Sequence, residues 1–317
     1  MTAADTPTAE YRTVSEACGL LDRSERGKLA LSGADAKSFL QGQVTNDIEA
    51  LSPGRGCYAA FLTPKGKMLG DLRVLDAGDE LLLDTERVAL QELFNMIGRF
   101  SIGYSVELHK RTLERGLLSL IGPESASIAG VTGLSAAEHA HAPTSIGAVS
   151  ARSIRTDVGV DLLCEAADTD ALRVALQDAG AMIVSDEVVD CLRIERGCPR
   201  YGIDLDDTVI PEEAGLNDRA VSFTKGCYVG QETVARLRYR GKPNRHLRGL
   251  LLSAAAQPGA RITFEGRVVG RIGSAAVSPR IGPIALALVR REAPPGTAVS
   301  VGDRLDRATV VELPFGN

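Results

Sequence analysis

Tryptophan is absent from the 317-residue sequence, and Phe, Tyr and Trp together make up 4% of it. A protein that reads strings of bases by stacking usually carries more aromatic side chains. Neither sign of charge dominates. The 36 basic and 41 acidic residues leave a net charge of -5, which argues against a globally basic nucleic-acid coat and leaves room only for a local patch. Cysteine is sparse: Cys18, Cys57, Cys164, Cys191, Cys198 and Cys227 are too few to staple a chain of this length. No Cys-x-x-Cys pair is present for a zinc ribbon or a ferredoxin-type cluster. Free thiols in a reducing cytoplasm are expected. No uninterrupted apolar run reaches the roughly 18 residues of a membrane span. The opening MTAADTPTAEYRTVSEACG lacks the charged-then-apolar pattern of a secretory signal. There is no P-loop, no dinucleotide glycine fingerprint and no Gly-x-Ser-x-Gly elbow. The histidines are scattered, and no Cys or carboxylate cluster stands beside His139 and His141, so no metal site is expected.

What is present describes a globular protein. Hydrophobic residues are 44% and charged residues 24%, enough apolar surface to bury, and the length implies two or more packed units. Residues 1–14 read as a disordered lead-in. Residues 29–33 read as a strand, and Ala36, Phe39 and Leu40 then recur at helical spacing. Cys57–Thr63 and Met68–Leu75, on either side of Pro64-Lys65-Gly66-Lys67, predict strand, tight turn, strand. Arg87–Phe100, Thr169–Gly180 and Asp186–Arg196 predict helices, and residues 123–150 a wandering stretch with one short helix. No internal repeat and no low-complexity tract is present. From Leu247 onward short apolar runs alternate with Gly and Pro turns, predicting a small antiparallel β-barrel or sandwich after a boundary near residues 241–246.

Four segments carry candidate chemistry. In Lys225-Gly226-Cys227-Tyr228-Val229-Gly230-Gln231-Glu232 an extended backbone would place Lys225 beside Cys227, and a neighbouring ammonium lowers a thiol pKa. The alternative is a turn with a half-buried cysteine. Arg236 to Arg248 holds Arg236, Arg238, Arg240, Lys242, Arg245, His246 and Arg248 without an acid, a stretch suited to phosphate, a polyglutamate tail or RNA, or to a solvated connector. Glu195 lies near the apolar face of its helix, where a carboxylate can accept two N–H bonds from a flat heterocycle, or can pair with Arg193 or Arg196. Asp71 sits in an apolar strand, which requires a partner or a function; Arg73, on the same face, is the candidate partner.

These residues resemble the YgfZ family, folate-binding proteins related to the aminomethyltransferase (T-protein) of the glycine cleavage system. Lys225 through Glu232 resembles the family signature KGCYxGQE. Ser32 to Asp47, Leu192 to Gly197, Tyr201 to Asp204 and Ile210 to Glu212 continue the likeness over most of the chain. The resemblance implies an α+β fold of several units around a central folate channel. Its folate-binding region would span 15–243 in two packed units, and 244–317 would form the C-terminal barrel. It implies tetrahydrofolate or a derivative as cofactor, with Glu195 on the pterin and Tyr228, Gln231 and Arg236 as further contacts. Asp71 lies where T-proteins keep a catalytic acid. Cys227 and Lys225 belong to the YgfZ signature and not to the T-protein pattern, which argues against ordinary glycine cleavage.

The implied function is a folate-dependent accessory factor for assembly or repair of iron–sulfur enzymes, with Cys227, activated by Lys225, as its reactive thiol. Its clients would include enzymes that modify tRNA. A folate-dependent aminomethyl or methyl transferase using Asp71 is the alternative, and direct tRNA contact through the basic stretch is a third. Turnover stays open, and a monomer is expected because no exposed heptad or apolar edge stands out.

Overall fold

The computed structural model describes residues 6–303 and 306–316. The chain divides into two compact units. The first comprises the described residues up to Phe61, Gly70–Asp186 and Thr224–Val229; the second comprises Leu62–Leu69, Glu187–Phe223 and the described residues from Gly230 onward.

The strands wholly or mainly in the first unit are β1 (Gly19–Asp22), β2 (Gly27–Ser32), β3 (Gly56–Leu62), β4 (Met68–Asp76), β5 (Glu80–Thr85), β6 (Glu107–Lys110), β7 (Arg115–Ile121), β8 (His141–Ile146), β9 (Val149–Arg155), β10 (Gly159–Glu165) and β11 (Met182–Ile183). They form a six-stranded sheet in the order β11-β1-β7-β10-β9-β8 and a five-stranded sheet in the order β3-β4-β5-β2-β6. Its helices are α1 (Thr6–Glu16), α2 (Ala36–Gln41), α3 (Leu90–Phe100), α4 (Ser125–Ile128) and α5 (Thr169–Asp178).

Strand alternation explains both faces of the six-stranded sheet. Leu118, Leu120, Val160 and Leu162 pack with Leu172 and Leu176 of α5 in one core. The intervening Ser119 and Asp161 are also buried and lie opposite one another in the β7–β10 register. A second layer must therefore cover that face and satisfy the acid.

The second unit holds α6 (Asp186–Glu195), α7 (Asn217–Ala220), α8 (Gln231–Arg240) and a closed antiparallel barrel. The barrel strands are β12 (Arg245–Leu252), β13 (Arg261–Phe264), β14 (Arg267–Ser278), β15 (Gly282–Arg290), β16 (Ala298–Val301) and β17 (Asp306–Val311), in the order β12-β15-β14-β13-β16-β17. Leu250, Ile262, Ile272, Ala287 and Val310 fill it. Closure removes the exposed edges that so short a sheet would otherwise carry.

Three expectations change. The lead-in contains α1, anchored by Val14 in the core and by Glu10, whose carboxylate accepts from Ser185 N at 2.8 Å and Ser185 Oγ at 2.5 Å. These are long-range contacts that local composition does not encode. The wandering stretch 123–150 ends in the β8–β9 hairpin, whose alternating exposed residues gave no apolar run. The basic stretch Arg236–Arg248 is a connector only at 241–244; its first half is the end of α8 and its second half the start of β12.

Candidate functional site

In the first unit Asp71 and Arg73 share one face of β4, but they do not pair. Arg73 lies opposite Asp84 in the β4–β5 register, and its Nε donates to Asp84 Oδ2 at 2.6 Å. Its Nη1 donates to Asp161 Oδ2 at 2.6 Å, which ties the five-stranded sheet to the six-stranded one. Asp161 also accepts from Ser119 Oγ at 2.7 Å, and Asp84 from Arg26 Nε at 2.8 Å. Burial opposes the charge on Asp84, but Arg26 and Arg73 outweigh it and hold the carboxyl well below the usual range.

Asp71 is left with a different partner: the Tyr58 phenol donates to its Oδ2 at 2.7 Å. Asp71 is buried, and burial pushes its carboxyl up to about 6, with the Tyr58 hydrogen bond pulling it partly back. It is therefore the carboxyl of this cluster suited to take and give a proton near neutrality.

The signature loop departs from the extended backbone that would set Lys225 beside Cys227. Residues 223–225 bend and 229–230 turn. The Lys225 ammonium is buried and donates to the carbonyls of Gln41, Val44 and Asn46 at 2.6, 2.7 and 2.7 Å. Lys225 thus caps the turn that follows α2. Burial pushes the ammonium down to about 8. The thiol in its field is Cys57, which burial pushes up to about 12 against the pull of Lys225. Cys227 is exposed. Tyr228 is buried, with its ring 5.1 Å from the Lys225 Nζ, so the loop is held by a cation–π contact as well. Val229 N closes the loop onto Gly42 O at 3.2 Å.

In the second unit Glu195 ends α6 and is 4% exposed. Of the two alternative helix partners, Arg193 does not pair with Glu195. Arg193 instead donates to Asp190 Oδ1 and Asp204 Oδ2, both at 2.8 Å, and to Ser274 Oγ at 2.6 Å. Asp204 Oδ1 accepts from Ser274 N at 2.8 Å, and a Cβ on Gly273 would lie 2.5 Å from that oxygen, so this approach requires glycine. Glu195 Oε1 accepts from Ser278 Oγ, and Oε2 from Arg280 at 3.4 Å, through a side chain that is 53% exposed.

Gly230, left-handed at φ 85°, starts α8; a Cβ there would lie 2.7 Å from Thr63 O. Gln231 is half-buried and Arg236 exposed on that helix. Arg238 stacks over Phe223 at 5.0 Å. Arg245 and Arg248 are spent on Glu213 and Glu312, each at 2.9 Å. The basic stretch is therefore less available than its composition implies.

Tyr58, Arg26, Asp84, Asp161, Ser278 and Arg280 escaped the sequence reading. The two acids carried a usable signal: Leu83-Asp84 and Val160-Asp161-Leu162 place a carboxylate in an apolar strand just as Asp71 does. Among the described residues no group of three or more His, Cys, Asp or Glu side chains could hold a metal ion.

Residues 2–225 match the GCVT N-terminal domain, and residues 245–316 match the glycine cleavage T-protein C-terminal barrel domain. The chain belongs to the glycine cleavage T-protein family. It is 30% identical to an aminomethyltransferase of Rubrobacter xylanophilus over 97% of this chain and 85% of that one. An aminomethyltransferase of Streptomyces avermitilis is 31% identical over 96% and 88%. A protein of Arabidopsis thaliana, named provisionally as a chloroplastic transferase, is 29% identical over 93% and 71%. The crystal structure of aminomethyltransferase T from Bartonella henselae superposes with a TM-score of 0.86 at 23% identity, covering 98% of this chain and 89% of that one. That likeness shows the fold. No helix among the described residues is long and apolar enough to cross a membrane.

Proposed function

We propose that this protein is a folate-dependent accessory factor for the assembly or repair of iron–sulfur enzymes, those that modify tRNA included, and that Cys227 is its reactive thiol. The observation that carries the reading is the exposure of Cys227 on a loop held by the buried Lys225. A loop so anchored presents its thiol to a large partner at a fixed place. Burial raises Cys18, Cys57, Cys164 and Cys191 out of the reactive range. The likeness of Lys225 through Glu232 to the YgfZ signature points the same way.

The residues present fit a folate. A pterin offers N–H donors, and Glu195 is a buried carboxylate whose contact to the half-exposed Arg280 is long and replaceable. Exposed Arg236 suits the anionic glutamyl tail, and Gln231 a polar edge. Tyr228 is buried against Lys225, so its part is to shape the loop. Bound tetrahydrofolate supplies a carrier for one-carbon units. The protein's own residues orient it and control protons. The protein is proposed to act as a cytoplasmic monomer.

A second reading, aminomethyl or methyl transfer to tetrahydrofolate, is favoured by Asp71, whose raised proton affinity suits an acid–base role, and by the names of the aminomethyltransferase relatives. Calorimetric titration with tetrahydrofolate tests the folate element that both share. Glu195→Ala is expected to weaken binding by about 1–3 kcal/mol, the scale of a charged acceptor. Unchanged affinity removes Glu195 from the site. Restoration of an iron–sulfur enzyme by wild type but not by Cys227→Ala separates the first reading from the second.

A further inference from the structure

Arg23 lies on the turn between β1 and β2, where the chain crosses from the six-stranded sheet to the five-stranded one. That turn is fixed from several sides. Arg23 N donates to Leu117 O at 2.8 Å, and Leu117 N donates to Ser24 Oγ at 3.0 Å, which stitches the turn to β7. Ser24 N donates to Asp22 Oδ1 at 2.9 Å. The Lys28 ammonium, 4% exposed, donates to the carbonyls of Ser24 and Arg26 at 2.8 and 3.0 Å. Two of the arginines at this seam are employed: Arg26 pairs with Asp84 and Glu86, and Arg73 with Asp84 and Asp161. The guanidinium of Arg23 forms no hydrogen bond or ion pair among the described residues. The acids in its field are taken, Asp161 Oδ2 by Arg73 and Oδ1 by Ser119, and Glu86 Oε1 by Arg26. Burial, and then the like charge of Arg26, push the Arg23 guanidinium below its ordinary range. Yet the side chain is not sealed. Nε of Arg111 and of Arg155 is enclosed without a partner, whereas no nitrogen of Arg23 is, and the residue is half-buried. A guanidinium stays charged in a protein, and this one lacks the planar two-oxygen acceptor that its fork fits.

We propose that Arg23 anchors a binding site for small carboxylate- or phosphate-bearing molecules at the seam between the two sheets of the first unit. Two parallel N–H···O bonds from its fork take the oxyanion. Arg26 and Arg73 are positioning residues here, because by holding Glu86 and Asp161 they keep those acids from closing on Arg23. The stitched backbone of the turn limits the ordering cost of binding. Neither Glu195 nor Cys227 takes part, so failure here leaves the folate and thiol readings intact.

The test is proton–nitrogen NMR of the arginine Nε–H groups in the full-length protein, titrated with acetate and with inorganic phosphate at constant ionic strength. Arg23→Lys assigns the resonance by removing it. A saturable shift of the Arg23 resonance, with those of Arg26 and Arg73 nearly still, is expected for at least one of the two anions. A response to acetate alone marks the ligand group as a carboxylate, to phosphate alone as a phosphate, and to both as either. Arg23→Lys keeps the charge and loses the fork, so it is expected to weaken binding about tenfold, read at the Ser24 amide, and Arg23→Gln to weaken it further. Arg23→Gln is also expected to leave the urea midpoint undiminished, because the side chain it removes holds nothing in place. A shift that does not saturate, or an Arg23→Gln variant that binds as wild type does, overturns the site. A urea midpoint lowered by Arg23→Gln with no saturable shift overturns it too, and assigns Arg23 to neutralising Asp161 and Glu86 instead.

Discussion

The Lys225 ammonium reaches the carbonyl oxygen of Val44 at 2.7 Å, and this bond makes the signature lysine a clamp on the turn after α2. Two further carbonyls share the same ammonium. Lys225→Met keeps the aliphatic stem and strands three acceptors, so it is expected to destabilise the fold by about 3 kcal/mol. Cys227→Ala, at an exposed loop position, is expected to change stability by less than about 0.5 kcal/mol. Urea denaturation of both variants checks the contrast. Equal small effects would show that Lys225 does not hold the loop.

Thiol chemistry should follow burial. Iodoacetamide at pH 8 is expected to label Cys227 well before Cys57, whose pKa burial pushes up to about 12 despite Lys225. Peptide mapping of a time course reads the order. Faster labelling of Cys57 would mean that the Lys225 ammonium outweighs burial at that thiol.

Asp71 carries a pH signature. Its unfolded carboxyl ionises near 3.8 and its folded one near 6, so between these values the folded state binds the extra proton. Stability from this group is therefore present below pH 3.8 and lost as pH rises to 6, by about 3 kcal/mol in all. Asp71→Asn, neutral throughout, is expected to flatten this dependence and to be the more stable form at pH 7.5. Denaturation midpoints at pH 4.5 and 7.5 measure it. A wild-type excess at pH 7.5 would contradict the assignment.

Asp84 has the opposite sign. Its folded carboxyl is held low, so its contribution is present above pH 3.8 and lost as pH falls through the folded value. Arg73→Met leaves Asp84 with Arg26 alone and Asp161 without its cation, at an expected cost of about 3–5 kcal/mol. Restoring neutrality with Asp161→Asn in the same chain should recover part of the loss. Additive losses in the double-mutant cycle would show that Arg73 and Asp161 are not coupled.

The barrel was legible in the sequence because its apolar runs and Gly/Pro turns are local signals. The signature residues were legible as types but not as contacts. Lys225 and Cys227 sit two positions apart, yet bends at 223–225 send the ammonium toward residues 41–46, a separation that no local pattern encodes. Asp71 was legible as a misplaced acid, whereas its partner Tyr58 lies on the neighbouring strand and Arg73 goes to Asp84 instead. The helix α1 was missed for the same reason, since its hold on Ser185 spans most of the first unit's sequence.

The role proposed for Cys227 is tested most directly by the activity of one iron–sulfur enzyme in a strain lacking this gene, rescued with wild type or with Cys227→Ala at equal protein levels. Activity is expected to fall on deletion and to return only with the wild type. Undiminished activity in the deletion strain, or full rescue by Cys227→Ala, would contradict it.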